Sequence, residues 1–465
     1  MAEGAENQEK SLAKEVRLIG SYKKLWSPER TASIPTSAII ALFLISVAIP
    51  ILISLYPVNA MLGMIGIGVM GFIAVMILFF DVYKFALFAF PFMFLVPYHN
   101  VTLGMSILLT VSYVSASLQS GRMSISIPHL LPLAIYLLAG FNGMTRAVDQ
   151  SMGMYLFRFN VLIPAVMFVV FYNLKPSVKE IKTFLAVVMA LTSLVGWLSF
   201  ARYFVVGWTR EIIGWSSNPA AFFLGMLVPV ALFSLLDAHR SLEKVFWWIV
   251  IMGIFAGIFV TQSRAIYLSV FIGVAFLSFK DRRVFRVVAP IILGIFLIAP
   301  VLLIYRMAMM FGVSEEVDWS SVGRVQIWLN SITLIPKYFL TGMGIDSFRH
   351  IYPANFPMGF ISAEHPHNFY LKMLFEYGIF GLVSFLWLVA GILKPALMRI
   401  FSRKRDISDE KDRMIIALTT GVTTALIASM VDAPFHHSRL VILLWIILAF
   451  IAVLTRPEVT NQAGE

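Results

Sequence analysis

The chain contains no cysteine and little charge. Of its 465 residues 13% are charged and 59% are hydrophobic, with a mean hydropathy of +0.86. The lack of cysteine excludes disulfide bonds and thiolate metal sites. The low charge excludes an ordinary soluble domain, since about a quarter of the residues in such domains are charged. These values predict an all-α, polytopic transmembrane helical bundle.

The formal net charge is +11. In an integral membrane protein basic residues report topology first, so nucleic-acid binding is not expected. Residues 1–37 are polar and basic without the apolar core of a signal peptide, and no cleaved leader is expected. This tail is either an interfacial helix on anionic lipid or a disordered segment.

Apolar runs long enough to cross about 30 Å of hydrocarbon predict about fourteen spans, with twelve or thirteen also compatible. They give an N-terminal bundle at 38–304, a loop at 305–366, C-terminal membrane helices at 367–455 and a tail at 456–465. The predicted spans are 38–56, 60–80, 84–98, 101–118, 127–143, 160–174, 183–206, 219–236, 245–262, 264–279, 284–304, 367–393, 414–431 and 436–455.

Basic clusters fall on alternate connections, at 175–182, 240–244, 280–286 and 394–413. The positive-inside rule therefore predicts that these connections and both termini are cytoplasmic. The loop 305–366 then lies on the extracytoplasmic face, together with the segments 144–159, 207–218 and 432–437. Membrane lipids are expected partners of the membrane-spanning helices.

Arginine predominates among the basic residues of the predicted outer loops, where Lys337 is the one lysine. A guanidinium matches phosphate oxygens in a bidentate fashion, so this bias is typical of a site that holds a diphosphate. The alternative is that these arginines pair with nearby acidic residues. The arginines are Arg146, Arg158, Arg210, Arg264, Arg306, Arg324, Arg349 and Arg439.

The loop 305–366 is the one long polar interruption among the apolar runs. Ser320 and Ser321 can cap a helix that begins near Arg324. Its apolar face is expected to comprise Val325, Trp328, Leu329, Ile332 and Leu334. This pattern predicts a partly helical lid across the outer mouth of the bundle.

Polar residues cluster where the loop meets the next apolar run. Glu364, His365, His367 and Asn368 precede it, while Lys372 and Glu376 lie four residues apart inside it. Such intramembrane charges indicate either an intrahelical ion pair or a substrate-orienting role. Asp432, His436 and His437 superficially resemble metal ligands, but without ligand spacing from elsewhere no metal site is expected.

Several motifs together resemble the O-antigen ligase and O-antigen polymerase superfamily, a group of bacterial membrane glycosyltransferases. Any one of them is weak, but their order around a long outer loop is specific and covers about residues 210–390. The motifs are Gly214–Pro219, Gln262-Ser263-Arg264, Arg324–Trp328, Gly342-Met343-Gly344, His367-Asn368 and Glu376–Leu382.

The resemblance implies a metal-independent, inverting enzyme without a cofactor. It would move a glycan from undecaprenyl diphosphate to an acceptor sugar hydroxyl at the periplasmic face of the inner membrane. Arg264, Arg324 and His367 match the family's functional positions. Ala265, where a glycine often follows Ser-Arg, and the high number of spans depart from the family pattern and affect the subfamily more than the chemistry.

The residue chemistry agrees with this interpretation, since a diphosphate leaving group gains negative charge that arginines can stabilise. His367 is either a general base for the acceptor hydroxyl or a diphosphate ligand. The remaining candidates bind the diphosphate or the glycan. They are Arg158, Arg210, Asn368, Glu364, His365, Lys372 and Glu376.

Three functions remain compatible with the sequence. A ligase joins a finished glycan to lipid A-core or a similar acceptor in lipopolysaccharide biosynthesis, whereas a polymerase extends lipid-linked repeats of O-antigen or another cell-envelope polysaccharide. A solute transporter would place paired charges at the bilayer midplane and show repeat symmetry. Because neither feature is visible, the transporter is disfavoured. The motifs hardly distinguish a ligase from a polymerase, since both cleave the same donor bond; the ligase is favoured, with the polymerase as the alternative.

Overall fold

The computed structural model describes residues 87, 89–95, 99–119, 125–206, 212–290, 319–356, 363–402, 407 and 409–456. The chain divides into two units, Met1–Val82 with Val111–Ile125, and Tyr83–Thr110 with Ser126–Glu465. Every element of the candidate site belongs to the second unit. The tails and the predicted spans 38–56 and 60–80 lie outside the described residues.

The described residues are overwhelmingly helical, and their one β-type pairing is an isolated bridge between Ile212 and Trp215. The α-helices are α1 His99–Gln119, α2 Leu130–Thr145, α3 Gln150–Phe157, α4 Ile163–Leu174, α5 Val178–Val205, α6 Ser217–Asp237, α7 Ser241–Thr261, α8 Arg264–Lys280, α9 Trp319–Tyr338, α10 Phe348–Asn355, α11 Phe369–Ser402, α12 Glu410–Ala428 and α13 Ser438–Leu454.

Within the described residues, five helical stretches are long and apolar enough to cross a membrane. One of them, Gln150–Leu174, joins α3 and α4 through a π-helical turn at Arg158–Leu162. The others are α5, α6, α7 and α11, and shorter apolar helices include α2 and α13. The all-α polytopic class is thereby confirmed.

Two predicted spans differ from the structure. The span expected at 160–174 begins ten residues earlier, because Asp149 caps α3 by accepting from the amides of Ser151 and Met152. The described part of the span expected at 84–98 is a 3-10 turn, Phe90–Phe94, instead of an α-helix. Pro91 occupies the first turn of this segment, where its missing N–H costs no hydrogen bond.

Local chemistry explains where several helices begin and end. Ser177 and Glu180 form a reciprocal capping box that starts α5. The α7–α8 hairpin turns within two residues, because Gln262 adopts a left-handed conformation (φ 53°) that ends α7 and Ser263 is the N-cap of α8. This tight turn exposes Arg264 in the first turn of α8.

Ion pairs tie helices together at one end of the second unit, here called the basic end. Lys182 pairs with Asp237 at 2.6 Å and with Glu410 at 2.7 Å, and Arg413 pairs with Asp237 at 2.8 Å. Arg399 contacts the buried Asp412. These contacts join α5, α6, α11 and α12 where the basic clusters predict the cytoplasm.

The described part of the polar loop is partly helical, as predicted, and contains α9 and α10. Helix α9 begins at Trp319, five residues before the predicted start. Its expected packing face is wrong in part: Leu334 is buried as predicted, but Val325, Leu329 and Ile332 are exposed. Ile327, which was not predicted, packs with Leu334 in a cluster completed by Met343, Phe348, Tyr352, Ala363 and Phe375.

Candidate active site

A break in α11 receives the middle of the polar loop. Gly378 has φ 71°, which interrupts the helix, and the Ile379 amide donates to the Phe339 carbonyl at 2.7 Å. The Met343 amide donates to the Phe375 carbonyl at 2.6 Å. A Cβ on Gly378 would lie 2.2 Å from the Leu340 oxygen. The two glycine motifs of the sequence thus meet, and their role here is close backbone packing.

The same loop segment is held on its other side by the end of α2. Ile345 donates from its amide to the Gly143 carbonyl at 2.9 Å, and Arg146 Nε donates to the Gly342 carbonyl at 3.2 Å. A Cβ on Gly344 would lie 2.5 Å from the Arg146 carbonyl carbon. The loop is therefore clamped between α2 and α11.

Lys372 and Glu376 form the intrahelical ion pair that the sequence offered as one interpretation. Lys372 Nζ lies 2.5 Å from Glu376 Oε1, and both side chains are buried. The Asp346 amide also donates to Glu376 Oε1, at 3.0 Å. This pair lines a small cavity of about 20 Å³ together with Asn160 and Tyr136. Its geometry links the loop to α11, and a substrate-orienting role stays a prediction.

Helix α9 is docked by two residues one turn apart. Arg324 Nη1 donates to the Val431 carbonyl at 3.1 Å, and Trp328 Nε1 donates to the Pro366 carbonyl at 2.7 Å. Ile327 lies between them and is 1% exposed. The Arg324–Trp328 motif therefore positions a guanidinium beside the loop that carries His367.

Asn368 caps α11 and anchors it to α12. Its side-chain oxygen accepts from the amides of Tyr370 and Leu371, at 2.9 and 3.0 Å. Its amide nitrogen donates to the Met430 carbonyl at 2.8 Å. This use of the side chain explains why an asparagine follows His367, since asparagine is a preferred N-cap.

His367 has a left-handed backbone conformation (φ 45°), which non-glycine residues adopt rarely and at functional sites more often. Its Nδ1 lies 3.8 Å from Asp432 Oδ1, an ion-pair distance. This nitrogen is buried and has no hydrogen-bond partner among the described residues. The His367 side chain as a whole is 30% exposed, so part of it is open to a ligand while Nδ1 is sheltered.

Asp432 lies in the turn between α12 and α13 and is 3% exposed. Burial alone would raise the pKa of Asp432, but contact with His367, the Ala433 amide and the charge of Arg324 together hold this pKa below its usual value. The carboxylate is therefore ionised next to His367. Sequence reasoning considered Asp432 only for metal binding and missed its contact with His367.

His365 and His436 extend the cluster. The His365 ring centroid lies 4.3 Å from that of His367 and 5.7 Å from that of His436. Burial, together with the nearby charges of His367 and Lys372, lowers the pKa of His365 to about 3, and burial also lowers the pKa of His436. Both rings are therefore neutral near pH 7.

Arg264 lies at the same end of the molecule as His367. A Cβ on Gly273 of α8 would lie 2.6 Å from Thr424 Oγ1 of α12. Arg283, just beyond α8, donates to the Ile407 carbonyl near the start of α12. Helices α8 and α12 are therefore antiparallel, so the first turn of α8 lies level with the end of α12 and with Asp432.

The other predicted site residues have varied positions. Arg158 is exposed at the π-helical turn, and Asn160 within that turn donates to the His436 carbonyl at 3.0 Å. Glu364 is 76% exposed and lies 4.0 Å from Arg349. Arg210 lies outside the described residues, as does Arg306.

Three of the outer-loop arginines are occupied by structural contacts. Arg439 is buried, donates to the carbonyls of Phe94 and Gly214, and lies 3.9 Å from the Trp215 ring centroid. Arg349 pairs with Asp346 at 3.0 Å, and Arg146 binds the loop as described above. The arginine bias thus reflects backbone and ion-pair contacts as well as any anion site. Arg324 likewise donates to a backbone carbonyl, and the substrate-binding roles of Arg158, Arg264 and Arg324 stay predictions.

Comparison with known proteins finds a family match for the segment that contains most of this site. Residues 248–386 match the family model described as O-Antigen ligase, a range that includes Arg264, Arg324 and His367. None of the curated proteins compared with the chain matches it. The segment 248–386 is therefore similar to the O-antigen ligase family, in agreement with the resemblance that the motifs predicted.

Proposed function

We propose that this protein transfers a glycan from an undecaprenyl diphosphate carrier to the hydroxyl of an acceptor sugar. The reaction occurs at the periplasmic face of the inner membrane, inverts the anomeric centre and needs no metal ion. The observation that carries the proposal is the contact of His367 with the buried Asp432 carboxylate, with Arg324 docked one residue away at Val431.

The His367–Asp432 contact suits a general base. A carboxylate facing Nδ1 favours the tautomer with its proton on Nδ1, which leaves a lone pair on Nε2. Nε2 takes the proton of the acceptor hydroxyl while the hydroxyl oxygen bonds to the anomeric carbon. The bond from that carbon to the diphosphate oxygen breaks, and the electron pair leaves with the diphosphate.

Arginines bind the leaving group in this proposal. Arg324 and Arg264 place guanidinium charge where the diphosphate becomes more negative, which stabilises the transition state more than the ground state. Arg158 and Arg210 contact the diphosphate or the first sugars. Lys372 is already paired with Glu376, so it supports the loop and contributes little to anion binding.

A ligase that uses lipid A-core or a related glycolipid is the preferred assignment, and a polymerase of lipid-linked repeats is the alternative. Both cleave the same donor bond and differ in the acceptor. A transporter is disfavoured, because the described cluster of ionisable residues lies at helix ends and in turns. The partners are the lipid-linked glycan, the acceptor and membrane lipids.

The test is a transfer assay with purified protein, undecaprenyl diphosphate glycan and a chelator. One set of reactions contains core oligosaccharide and the other a second lipid-linked repeat. A single added block identifies a ligase and a ladder identifies a polymerase. Donor hydrolysis without transfer, or full activity of His367→Ala, would contradict the proposal.

Three variants probe the proposed machinery in this assay. His367→Ala, Arg264→Ala and Arg324→Ala are expected to lower the rate by at least about a hundredfold, as removal of a general base or a transition-state cation does. His350→Ala and Arg240→Ala are matched controls, since both residues are exposed and lie outside the cluster. The controls should retain the activity of the unmodified protein.

A further inference from the structure

Three side chains, of which one is the proposed base His367, have the composition of a transition-metal site. His365, His367 and Asp432 each offer one ligand atom, and these atoms lie within 4.8 Å of one another. They come from two separate segments, the loop before α11 and the turn before α13. The residues that superficially resemble metal ligands in the sequence are Asp432, His436 and His437.

The neighbouring histidines are committed elsewhere. The His437 ring stacks on Trp215 with centroids 5.1 Å apart. His436 Nδ1 lies 2.8 Å from the Ala433 carbonyl, which suits an N–H donor at this nitrogen. The His365, His367 and Asp432 group therefore differs from Asp432, His436 and His437, for which the sequence predicted no metal site.

The donor set favours zinc and related ions over magnesium or calcium. Two imidazole nitrogens and one carboxylate oxygen suit Zn²⁺, whereas Mg²⁺ and Ca²⁺ prefer oxygen ligands only. Metal–ligand bonds of about 2.0–2.2 Å in a tetrahedron separate ligand atoms by about 3.3–3.5 Å. His367 Nδ1 and Asp432 Oδ1 are 3.8 Å apart. All three ligand atoms lie within 4.8 Å of one another, so shifts of up to about 1.5 Å would bring them to this spacing.

His367 Nδ1 supplies a second observation. It is buried, lacks a hydrogen-bond partner among the described residues and lies 3.8 Å from the Asp432 carboxylate. A buried polar atom without a partner is destabilising, and a bound cation would satisfy both this nitrogen and Asp432.

We propose that His365, His367 and Asp432 form an inhibitory binding site for a divalent transition metal ion, with Zn²⁺ as the preferred ion. The binding site stands on the geometry alone, while the inhibitory effect rests on the proposed function of His367. Three protein ligands leave a fourth position for water. The nearby Arg324 guanidinium repels the ion and keeps binding weak enough to be reversible.

Inhibition follows from the proton on the imidazole. Coordination of Nδ1 to the metal moves the proton of that nitrogen to Nε2, so the ring stays neutral. Nε2 then has no lone pair for the acceptor hydroxyl, and Asp432 is bound to the metal instead of orienting the ring. Transfer stops although the donor can still bind at the arginines.

The binding test uses protein without a histidine tag, in detergent, titrated calorimetrically with ZnCl₂ and by absorbance with CoCl₂. One ion per chain is expected, with the visible spectrum of tetrahedral Co²⁺. His365→Ala, His365→Asn and Asp432→Asn each remove one proposed metal ligand. Each variant should therefore weaken Zn²⁺ binding by at least about tenfold. His350→Ala and His239→Ala are exposed controls that should bind like the unmodified protein.

Each variant is first compared with the parent by gel-filtration elution and thermal unfolding, so that only folded proteins are titrated. Failure of the parent to bind Zn²⁺ would overturn the site. Binding that is unchanged in His365→Ala, His365→Asn and Asp432→Asn would place the ion elsewhere and overturn it equally.

The activity test adds Zn²⁺ to the transfer assay. The rate should fall as the site fills and recover on addition of a chelator, and His365→Ala should need at least about tenfold more Zn²⁺ for the same fractional inhibition. Zn²⁺ bound at the cluster without loss of rate would overturn the inhibitory role. A parent protein that binds Zn²⁺ but transfers no glycan would instead contradict the proposed function, which separates the two failures.

Discussion

At the scale of single residues, the site depends on a histidine in a strained conformation beside a buried acid. The left-handed backbone of His367 costs about 1–3 kcal/mol. It persists because the next two residues, Asn368 and Phe369, donate hydrogen bonds to carbonyls of the turn that contains Met430. Phe369 donates from its amide to the carbonyls of Ser429 and Asp432. These backbone bonds hold the two segments in contact, so the His367–Asp432 pair is a property of the packed turn.

Asp432→Asn tests the orienting role of this carboxylate. An amide keeps the shape but loses the charge that favours a proton on His367 Nδ1, so turnover should fall by about 10²-fold or more with little change in the KM for the donor. Asp149→Asn is the matched control, because Asp149 is an exposed helix cap and asparagine caps helices equally well. Steady-state transfer kinetics measure both, and an equal loss in the two variants would refute the role.

At the scale of elements, the polar loop is joined to the bundle through backbone contacts that only glycine permits. Gly342, Gly344 and Gly378 all have positive φ and approach backbone atoms of neighbouring segments. Glu376 accepts from the Asp346 amide in the same junction. The glycine motifs that resemble the O-antigen ligase family therefore dock the loop against the bundle, and the loop carries α9 with Arg324 to the site.

Gly378→Ala tests this junction. The added Cβ would overlap the Leu340 oxygen at a positive φ, so the variant should be destabilised by about 1–3 kcal/mol and lose transfer activity as the loop detaches. Gly104→Ala in α1 is the control, since its added Cβ would have no neighbouring atom within 4 Å. Alanine in a helix is also more stable than glycine by about 0.5–1 kcal/mol. Thermal unfolding in detergent compares the two, and equal melting temperatures would contradict the prediction.

The buried Lys372–Glu376 pair gives a second element-scale prediction. Lys372→Met leaves an uncompensated buried carboxylate, whereas Lys372→Met combined with Glu376→Gln removes both charges. The single variant should therefore melt at a lower temperature than the double variant. Lys337→Met, an exposed change in α9, should melt like the parent. A double variant less stable than the single one would show that the two charges act independently.

At the scale of the whole molecule, the basic end and the site end are separated by the membrane in the predicted topology. Asp237 at the basic end bridges Lys182 and Arg413, while His367 and Asp432 lie where α11 begins and α12 ends. Helices α6 and α12 run between these ends. This division suits an enzyme whose lipid-linked donor and acceptor meet on one face only.

Because the chain has no cysteine, single introduced cysteines report this topology directly. Val148→Cys near the site end should react with a membrane-impermeant maleimide in intact spheroplasts, and Leu242→Cys at the start of α7 should react only after permeabilisation. Both positions are exposed, at 57% and 85%. Labelling in the reverse order would invert the orientation and remove the periplasmic assignment.

The sequence by itself determined the membrane class, the partly helical loop and the ligase-family motifs, because hydropathy and short motifs are local properties of the chain. It also indicated the Lys372–Glu376 pair, since residues four apart share a helix face. It placed three residues of the α9 packing face wrongly, because burial there depends on neighbouring segments, and it missed the π-helical turn at Arg158–Leu162.

Only the tertiary structure decided which polar residues meet. Asp432 lies far from His367 along the chain. Arg439 directly follows a serine, as Arg264 does, yet it turns inward and donates to the carbonyls of Phe94 and Gly214. Contacts between distant segments depend on how helices cross and where turns end. No periodicity within one segment records them, which is why the candidate residues followed from the sequence and their pairing did not.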